Sequence, residues 1–115
     1  SYHQRIPTDL QTLAFDALVK YDHERGTREV YEYEAGWYPS EAPFAKSTRG
    51  GDEDTGYVVT LATNVMDYGS EAWIFDAKRI TAGPITRVRI PARVAPGFHA
   101  YWIPGRDLWG DAPRF

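Results

Sequence analysis

Histidine 99 has the setting best suited to metal chemistry among the three histidines of the chain. It stands between Phe98 and Ala100, so we expect it on an apolar strand, where each ring nitrogen needs a partner. One interpretation is a core histidine that backbone or carboxylate groups satisfy. The other is a metal ligand whose second nitrogen is held by an acidic side chain. His3 and His23 lie in polar segments, where exposed histidines are ordinary.

Glu41 is the natural candidate for that acidic partner. It lies between Pro39 and Pro43, two residues that restrict the backbone and would hold the carboxylate in place. An exposed loop glutamate is the alternative. The acidic run at residues 52–54 lacks the ligand spacing of an EF-hand loop, so we expect a solvated loop there.

Composition restricts the chemistry further. The chain has 115 residues, enough for one domain, and a net charge of −3 with no basic cluster, so nucleic acid is not an expected partner. It contains no cysteine, which excludes disulfides, thiolate metal sites and cysteine nucleophiles. The polar first residues do not resemble a secretory leader, and no apolar run approaches the roughly 18 residues of a membrane span. We therefore expect a soluble, cytoplasmic protein.

The elements that would position these side chains are mostly strands, as the high content of aromatic and turn residues indicates. Residues 17–22 and 27–33 predict a β-hairpin around a four-residue turn. A helix over residues 10–20 is the competing interpretation, because its apolar residues also fit helical spacing.

Further strands are predicted along the rest of the chain, with a surface loop at residues 47–56 and a tail at 104–115. The pattern at 57–63 predicts burial on both faces, and the alternation at 85–90 predicts one buried face. A last strand would place Tyr101 on the same face as His99, where Tyr101 could line a site. The predicted strands are residues 44–46, 57–63, 72–76, 85–90 and 98–103.

A weak internal repeat suggests what these strands build. A strand ending in an aromatic residue and an aspartate, followed by a polar turn and a glycine, occurs at Asp22 and again at Asp76, 54 positions later. A period near 50 residues is typical of the four-stranded blades of a β-propeller. At that period the chain holds about two blades.

Three stretches together resemble the C-terminal part of the carotenoid cleavage oxygenase family, which includes apocarotenoid and lignostilbene dioxygenases and the retinal pigment epithelial membrane protein. The resemblance covers about residues 18–103. Its motifs are Tyr-Pro-Ser-Glu-Ala-Pro-Phe at 38–44, Asp-Glu-Asp-Thr-Gly-Tyr-Val-Val-Thr at 52–60 with the strands that follow to Pro91, and Val-Ala-Pro-Gly-Phe-His at 94–99.

The resemblance implies a seven-bladed β-propeller that holds Fe(II) on its axis with four histidines, three of them backed by glutamates. His99 matches the last of these ligands and Glu41 the glutamate that orients it, while nothing here matches the other three. Ala42, inserted before Pro43, and Ala100 depart from the family pattern.

The implied activity is cleavage of an alkene bond in a carotenoid, apocarotenoid or stilbene-like substrate with O₂ to give carbonyl products. The partners implied are O₂, a hydrophobic alkene and the remaining blades of a parent chain, without which this segment, from residue 1 to 115, would be inactive. Contact with a membrane is neither indicated nor excluded by this segment. The alternative is a small noncatalytic β-sheet module that binds through its aromatic surface.

Overall fold

Antiparallel strands in two sheets form the body of the protein. The structure is a computed structural model that describes residues 1–9 and 14–110. The small sheet has the order β1-β2-β3; in the large sheet β4, β6, β7 and β8 follow one another and β5 also pairs with β6. The elements are β1 (Tyr2–Arg5), β2 (Ala17–Asp22), β3 (Thr27–Glu32), β4 (Trp37–Pro39), β5 (Phe44–Lys46), β6 (Gly56–Asn64), β7 (Ser70–Asp76), a 3-10 helix (Ile80–Ala82), β8 (Pro84–Ile90) and α1 (Gly105–Trp109).

The predicted hairpin is confirmed as β2 and β3. The Asp22 carboxylate accepts hydrogen bonds from the backbone N–H groups of Glu24 and Arg25 at 3.1 and 2.9 Å, and Gly26 closes the turn at a φ of 63°. The helix interpretation is wrong for residues 14–20, because β2 forms there between two strand partners; residues 10–13 lie outside the described part of the chain.

The core lies between the two sheets. Trp73 and Phe75 of β7 are fully buried and meet two tyrosines. Tyr31 of β3 packs edge-on to Phe75, and Tyr33, which follows β3, lies against Trp73, with ring centroids 5.1 and 5.8 Å apart. Such pairs add specific geometry to a large apolar burial. The phenol of Tyr2 donates to the carbonyl of Ala77 at 2.9 Å, which joins β1 to the end of β7.

Residues 57–61 of β6 are buried on one face only, contrary to the sequence prediction, and on the other face Thr63 is buried near the end of the strand. Val58 and Ala62 are fully buried against the small sheet, whereas Tyr57 and Leu61, which point the other way, are 47% and 37% exposed. The prediction of one buried face on β8 is also wrong: it is an edge strand, and its apolar Ile85 and Val88 are more than half exposed. No element of the described chain covers these side chains.

The last predicted strand does not form. Residues 98–103 have no strand partner, and the tail contains the short helix α1 instead. Residues 47–55 contain no strand or helix, and β6 begins at Gly56. Among the described residues no helix has the length and apolarity to span a membrane.

Candidate functional site

The loop that carries Glu41 lies between β4 and β5, along one edge of the large sheet. β4 and β5 both pair with β6, and residues 40–43 leave the ladder between them. Ser40 fixes the loop from one side, because its N–H donates to the carbonyl of Leu61 at 2.8 Å and its carbonyl accepts from the Thr60 hydroxyl at 2.9 Å. On the other side the N–H of Val59 donates to the carbonyl of Pro43 at 3.1 Å. The loop is therefore rigid although it is not a strand.

The small sheet holds the same loop through Gln4. The side-chain amide of Gln4 donates to the Ser40 carbonyl at 2.6 Å, and its oxygen accepts from the Tyr33 hydroxyl at 3.0 Å. Burial raises the pKa of Tyr33, so this phenol stays protonated and remains a donor. Both sheets therefore contribute to the position of Glu41.

The segment that carries His99 is anchored at Val94 by two buried hydroxyls. Thr63 donates to the Val94 carbonyl at 2.6 Å, Ser70 accepts from the Val94 N–H at 2.9 Å, and the two hydroxyl oxygens are 3.0 Å apart. Since each hydroxyl has one proton, Ser70 must donate to Thr63. These three hydrogen bonds fix the position of Val94, shortly after the end of β8.

A second anchor lies immediately before the histidine. The ring of Phe98 packs edge-on to that of Phe15, with centroids 6.2 Å apart. A small cavity of about 60 Å³ lies beside this pair, bounded in part by Tyr38 and Pro39. Phe98 therefore rests on residues near the Glu41 loop, and His99 follows directly.

The structure places Glu41 and His99 side by side. One carboxylate oxygen, Oε1, lies 3.6 Å from Nδ1 of His99, and the other, Oε2, accepts a hydrogen bond of 2.8 Å from the backbone N–H of Ala100. The 3.6 Å between Oε1 and Nδ1 is an ion-pair separation and is longer than a hydrogen bond. The Ala100 bond keeps the carboxylate aimed at this ring edge.

The surroundings of the pair are open. The His99 side chain is 94% exposed and that of Glu41 38% exposed. Glu41 and Ala100 line a groove of about 420 Å³ whose wall includes Tyr2, Phe15 and Phe44. His99 is therefore not a core histidine, since nothing in the described chain surrounds its ring.

The donor set of this pair fits one position of an imidazole-bound metal. A carboxylate beside Nδ1 favours the tautomer with the proton on that nitrogen, and leaves the Nε2 lone pair free. His99 would supply Nε2 to the metal and Glu41 would hold the ring. In residues 1–9 and 14–110, however, no three His, Asp or Glu side chains are grouped closely enough to hold a metal by themselves.

The other candidate residues are placed elsewhere. Tyr101 is 85% exposed, and the strand alternation that predicted it beside His99 is absent. His23 and His3 direct Nε2 at the Ser1 hydroxyl, at 2.8 and 3.0 Å, and not at His99. The anchoring hydroxyls of Thr63 and Ser70, near the end of β6 and at the start of β7, were not singled out from the sequence.

Curated relatives share this part of the chain. Carotenoid 9,10(9',10')-cleavage dioxygenase 1 of Pisum sativum is 34% identical over 109 residues, 93% of this chain and 20% of that protein. The carotenoid 9,10(9',10')-cleavage dioxygenase of Crocus sativus is 36% identical over 81 residues, 69% of this chain and 15% of that protein. Isoeugenol monooxygenase of Pseudomonas nitroreducens is 27% identical over 94 residues, 79% of this chain and 19% of that protein. The chain thus spans about a fifth or less of the length of these relatives.

Solved structures also resemble this chain, and two of them are apocarotenoid oxygenases. An apocarotenoid oxygenase variant of Synechocystis superposes with a TM-score of 0.71 at 27% identity, over 78% of this chain and 19% of that one. The cobalt-substituted apocarotenoid oxygenase of Synechocystis gives a TM-score of 0.65 at 26% identity, over 73% of this chain and 18% of that one. The family model described as Retinal pigment epithelial membrane protein matches residues 2–104. This match covers nearly the whole chain, and the protein belongs to the retinal pigment epithelial membrane protein family, the carotenoid cleavage oxygenases.

Proposed function

We propose that these 115 residues are part of a nonheme Fe(II) oxygenase that cleaves an alkene double bond of a carotenoid, apocarotenoid or stilbene-like substrate. The observation that carries the proposal is the carboxylate of Glu41 held beside Nδ1 of His99 by the Ala100 N–H. The names of the relatives support the reaction class, since they include carotenoid cleavage dioxygenases and an isoeugenol monooxygenase. The cobalt-substituted relative supports a metal in the family.

In this proposal the chain supplies one of several ligands. Iron, when bound, supplies the activation of O₂ for insertion into the substrate alkene. His99 provides a neutral imidazole, the type of ligand that suits Fe(II). Glu41 keeps the proton on Nδ1 and sets the angle of the ring, and the Ala100 N–H occupies the second carboxylate oxygen so that the side chain does not turn away.

The proposal includes partners that lie outside the chain. The other imidazole ligands and the walls of the substrate site come from further blades of a parent β-propeller, of which the two sheets are one part. The 115-residue chain alone neither retains iron nor cleaves substrate. O₂ and a hydrophobic alkene are the substrates of the assembled enzyme.

The experiment compares three variants of the parent protein. His99→Ala removes the ligand and is expected to abolish iron retention, measured by metal analysis after gel filtration. Glu41→Gln keeps the shape but removes the charge, so we expect iron affinity to fall about 10- to 100-fold. Glu53→Gln, an exposed loop residue of the same type, is the matched control and should change neither iron content nor alkene cleavage.

Normal iron content and normal cleavage in His99→Ala would overturn the proposal. Such a result would show that His99 is not a ligand, whereas a parent protein that neither binds iron nor cleaves an alkene would favour the noncatalytic binding module. Loss of iron in His99→Ala with unchanged affinity in Glu41→Gln would retain the ligand but remove the orienting role of the glutamate.

A further inference from the structure

The two peptide groups on either side of the Glu41 Cα are both held by side chains. The Ser40 carbonyl, in the peptide group before Glu41, accepts from the Gln4 amide at 2.6 Å and from the Thr60 hydroxyl at 2.9 Å. The Glu41 carbonyl, in the peptide group after it, accepts from the Ser40 hydroxyl at 3.0 Å. Because peptide groups are planar, holding these two oxygens sets the direction in which the Glu41 side chain leaves the backbone.

The two donors to the Ser40 carbonyl come from different sheets. Thr60 belongs to β6, beside the loop, and is 1% exposed. Gln4 belongs to β1 and lies 36 positions from Ser40 along the chain. A carbonyl oxygen has two lone pairs, so these two donors use both of them. Gln4 therefore carries the position of the small sheet to the peptide group before Glu41.

Tyr33 determines which way the Gln4 amide faces. The Ser40 carbonyl can only accept, so the NH₂ group of Gln4 must face it, and the amide oxygen is left to accept from the Tyr33 hydroxyl at 3.0 Å. The Tyr33 ring lies against the fully buried Trp73, with centroids 5.8 Å apart. Both ends of the amide are thus bonded to groups that the fold holds in place.

Glu41 passes this orientation on to the segment that carries His99. Its Oε2 accepts from the Ala100 N–H at 2.8 Å, and its Oε1 lies 3.6 Å from Nδ1 of His99. The His99 side chain is 94% exposed, so packing does little to orient its ring. A displaced carboxylate would lose both the Ala100 hydrogen bond and its place beside the imidazole.

We propose that Gln4 is a positioning residue for the metal site, acting through the Ser40 carbonyl and Glu41 on the ring of His99. The inference rests on the proposed function and adds to it a residue of the other sheet. Groups that orient a metal ligand directly change metal affinity about 10- to 100-fold. Gln4 acts one contact further away, so removal of its hydrogen bonds should weaken iron binding about 3- to 10-fold.

The first test is Gln4→Met in the parent protein, because methionine keeps the unbranched shape without the hydrogen bonds. Iron affinity, measured by competition with a chelator, should fall about 3- to 10-fold. Hydrogen exchange at the Ala100 amide, measured in the metal-free protein, should become faster because its acceptor on Glu41 turns away. Asp54→Asn is the matched control: it removes the 3.0 Å contact with Lys20, another polar link to the small sheet, and should change neither quantity.

The second test is Gln4→Glu, which varies the same contact within one folded protein. A protonated carboxyl donates to the Ser40 carbonyl and accepts from Tyr33, as the amide does, whereas the ionised carboxylate can only accept. The ratio of the variant's iron affinity to that of the unsubstituted parent should therefore be low at alkaline pH and rise toward one as pH falls. Protonation of His99 affects both proteins and cancels in this ratio. The ratio for Gln4→Met should stay constant.

Three results would overturn the positioning role. One is an iron affinity of Gln4→Met equal to that of the parent. Another is unchanged exchange at the Ala100 amide, which would show that Gln4 does not hold Glu41. The third is an affinity ratio for Gln4→Glu that does not change with pH. Failure of the proposed function is distinct, since it requires normal iron content in His99→Ala, whereas failure of this inference leaves His99→Ala without iron.

Discussion

Replacing Thr63 by valine removes the hydroxyl that holds Val94, the anchored residue of the segment that carries His99. The Thr63 hydroxyl donates to the Val94 carbonyl at 2.6 Å and accepts from Ser70 over 3.0 Å, in a site where Thr63 is only 5% exposed. Valine has nearly the same shape, so the packing is retained and the change is confined to hydrogen bonding. The Val94 carbonyl and the Ser70 hydroxyl both lose a partner.

The expected cost follows from these two losses. Each hydrogen bond contributes on the order of 1 kcal/mol net, and an unpaired buried group costs about 1–3 kcal/mol. We therefore expect Thr63→Val to lower the free energy of unfolding by about 2–3 kcal/mol. Ser70→Ala should cost a similar amount, and the double variant less than the two costs added, because the residues share one network.

Urea unfolding followed by tryptophan fluorescence measures the change in this chain, and hydrogen exchange at the Val94 amide measures it in the parent protein. A loss of 2–3 kcal/mol corresponds to an exchange rate about 30- to 150-fold faster where local opening controls exchange. Thr86→Val, on the exposed edge strand, is the matched control and should change stability by less than about 0.5 kcal/mol. If Thr63→Val were no more destabilising than Thr86→Val, the hydrogen bonds of the Thr63 hydroxyl would not stabilise the anchor at Val94.

Two further predictions concern pH. Burial, and then the nearby Asp54 carboxylate, raises the pKa of Tyr2 to about 12 from its usual 10, so the folded state favours the neutral phenol. The free energy of unfolding should therefore fall as pH rises from about 10 to 12. Unfolding curves measured across that range should show a less steep fall in Tyr2→Phe. A hydrogen bond from Lys20, assisted by Lys78, lowers the pKa of Asp54, so its contribution is present above the ordinary carboxyl pKa and is lost as pH falls through the lower, folded-state value. Asp54→Asn should therefore unfold at lower urea concentration at neutral pH and show a shallower acid transition; an unchanged transition would contradict the role of this ion pair.

The strands with local signals were predictable. The β2–β3 hairpin and β6 combine β-branched or aromatic residues with nearby turns, and these signals act over a few residues. β1 and β4 were missed because each has only four or three residues and depends on a distant partner. The strand predicted at 98–103 had suitable residues, but no sheet edge in the described chain receives it.

The candidate site was predictable in a different way. Glu41 and His99 were paired through the family resemblance, since no periodicity in the sequence relates two residues so far apart. The Val94 anchor was not predicted, because Thr63 ends the predicted strand 57–63, Ser70 lies outside the predicted strands, and no local pattern relates either residue to Val94. The exposure of β8 could not be predicted either, because the alternation of its residues does not show whether an element covers its apolar face.

The contact between Glu41 and Ala100 also has a consequence for the order in which the protein assembles. It spans 59 positions of the chain, and β5, β6, β7 and β8 all lie between its ends. Closing so long a loop is unfavourable until the intervening strands have paired. The imidazole of His99 is therefore expected to acquire its orientation among the last events of folding. In the proposed metal site, metal loading would follow the completion of the sheet and would not nucleate it.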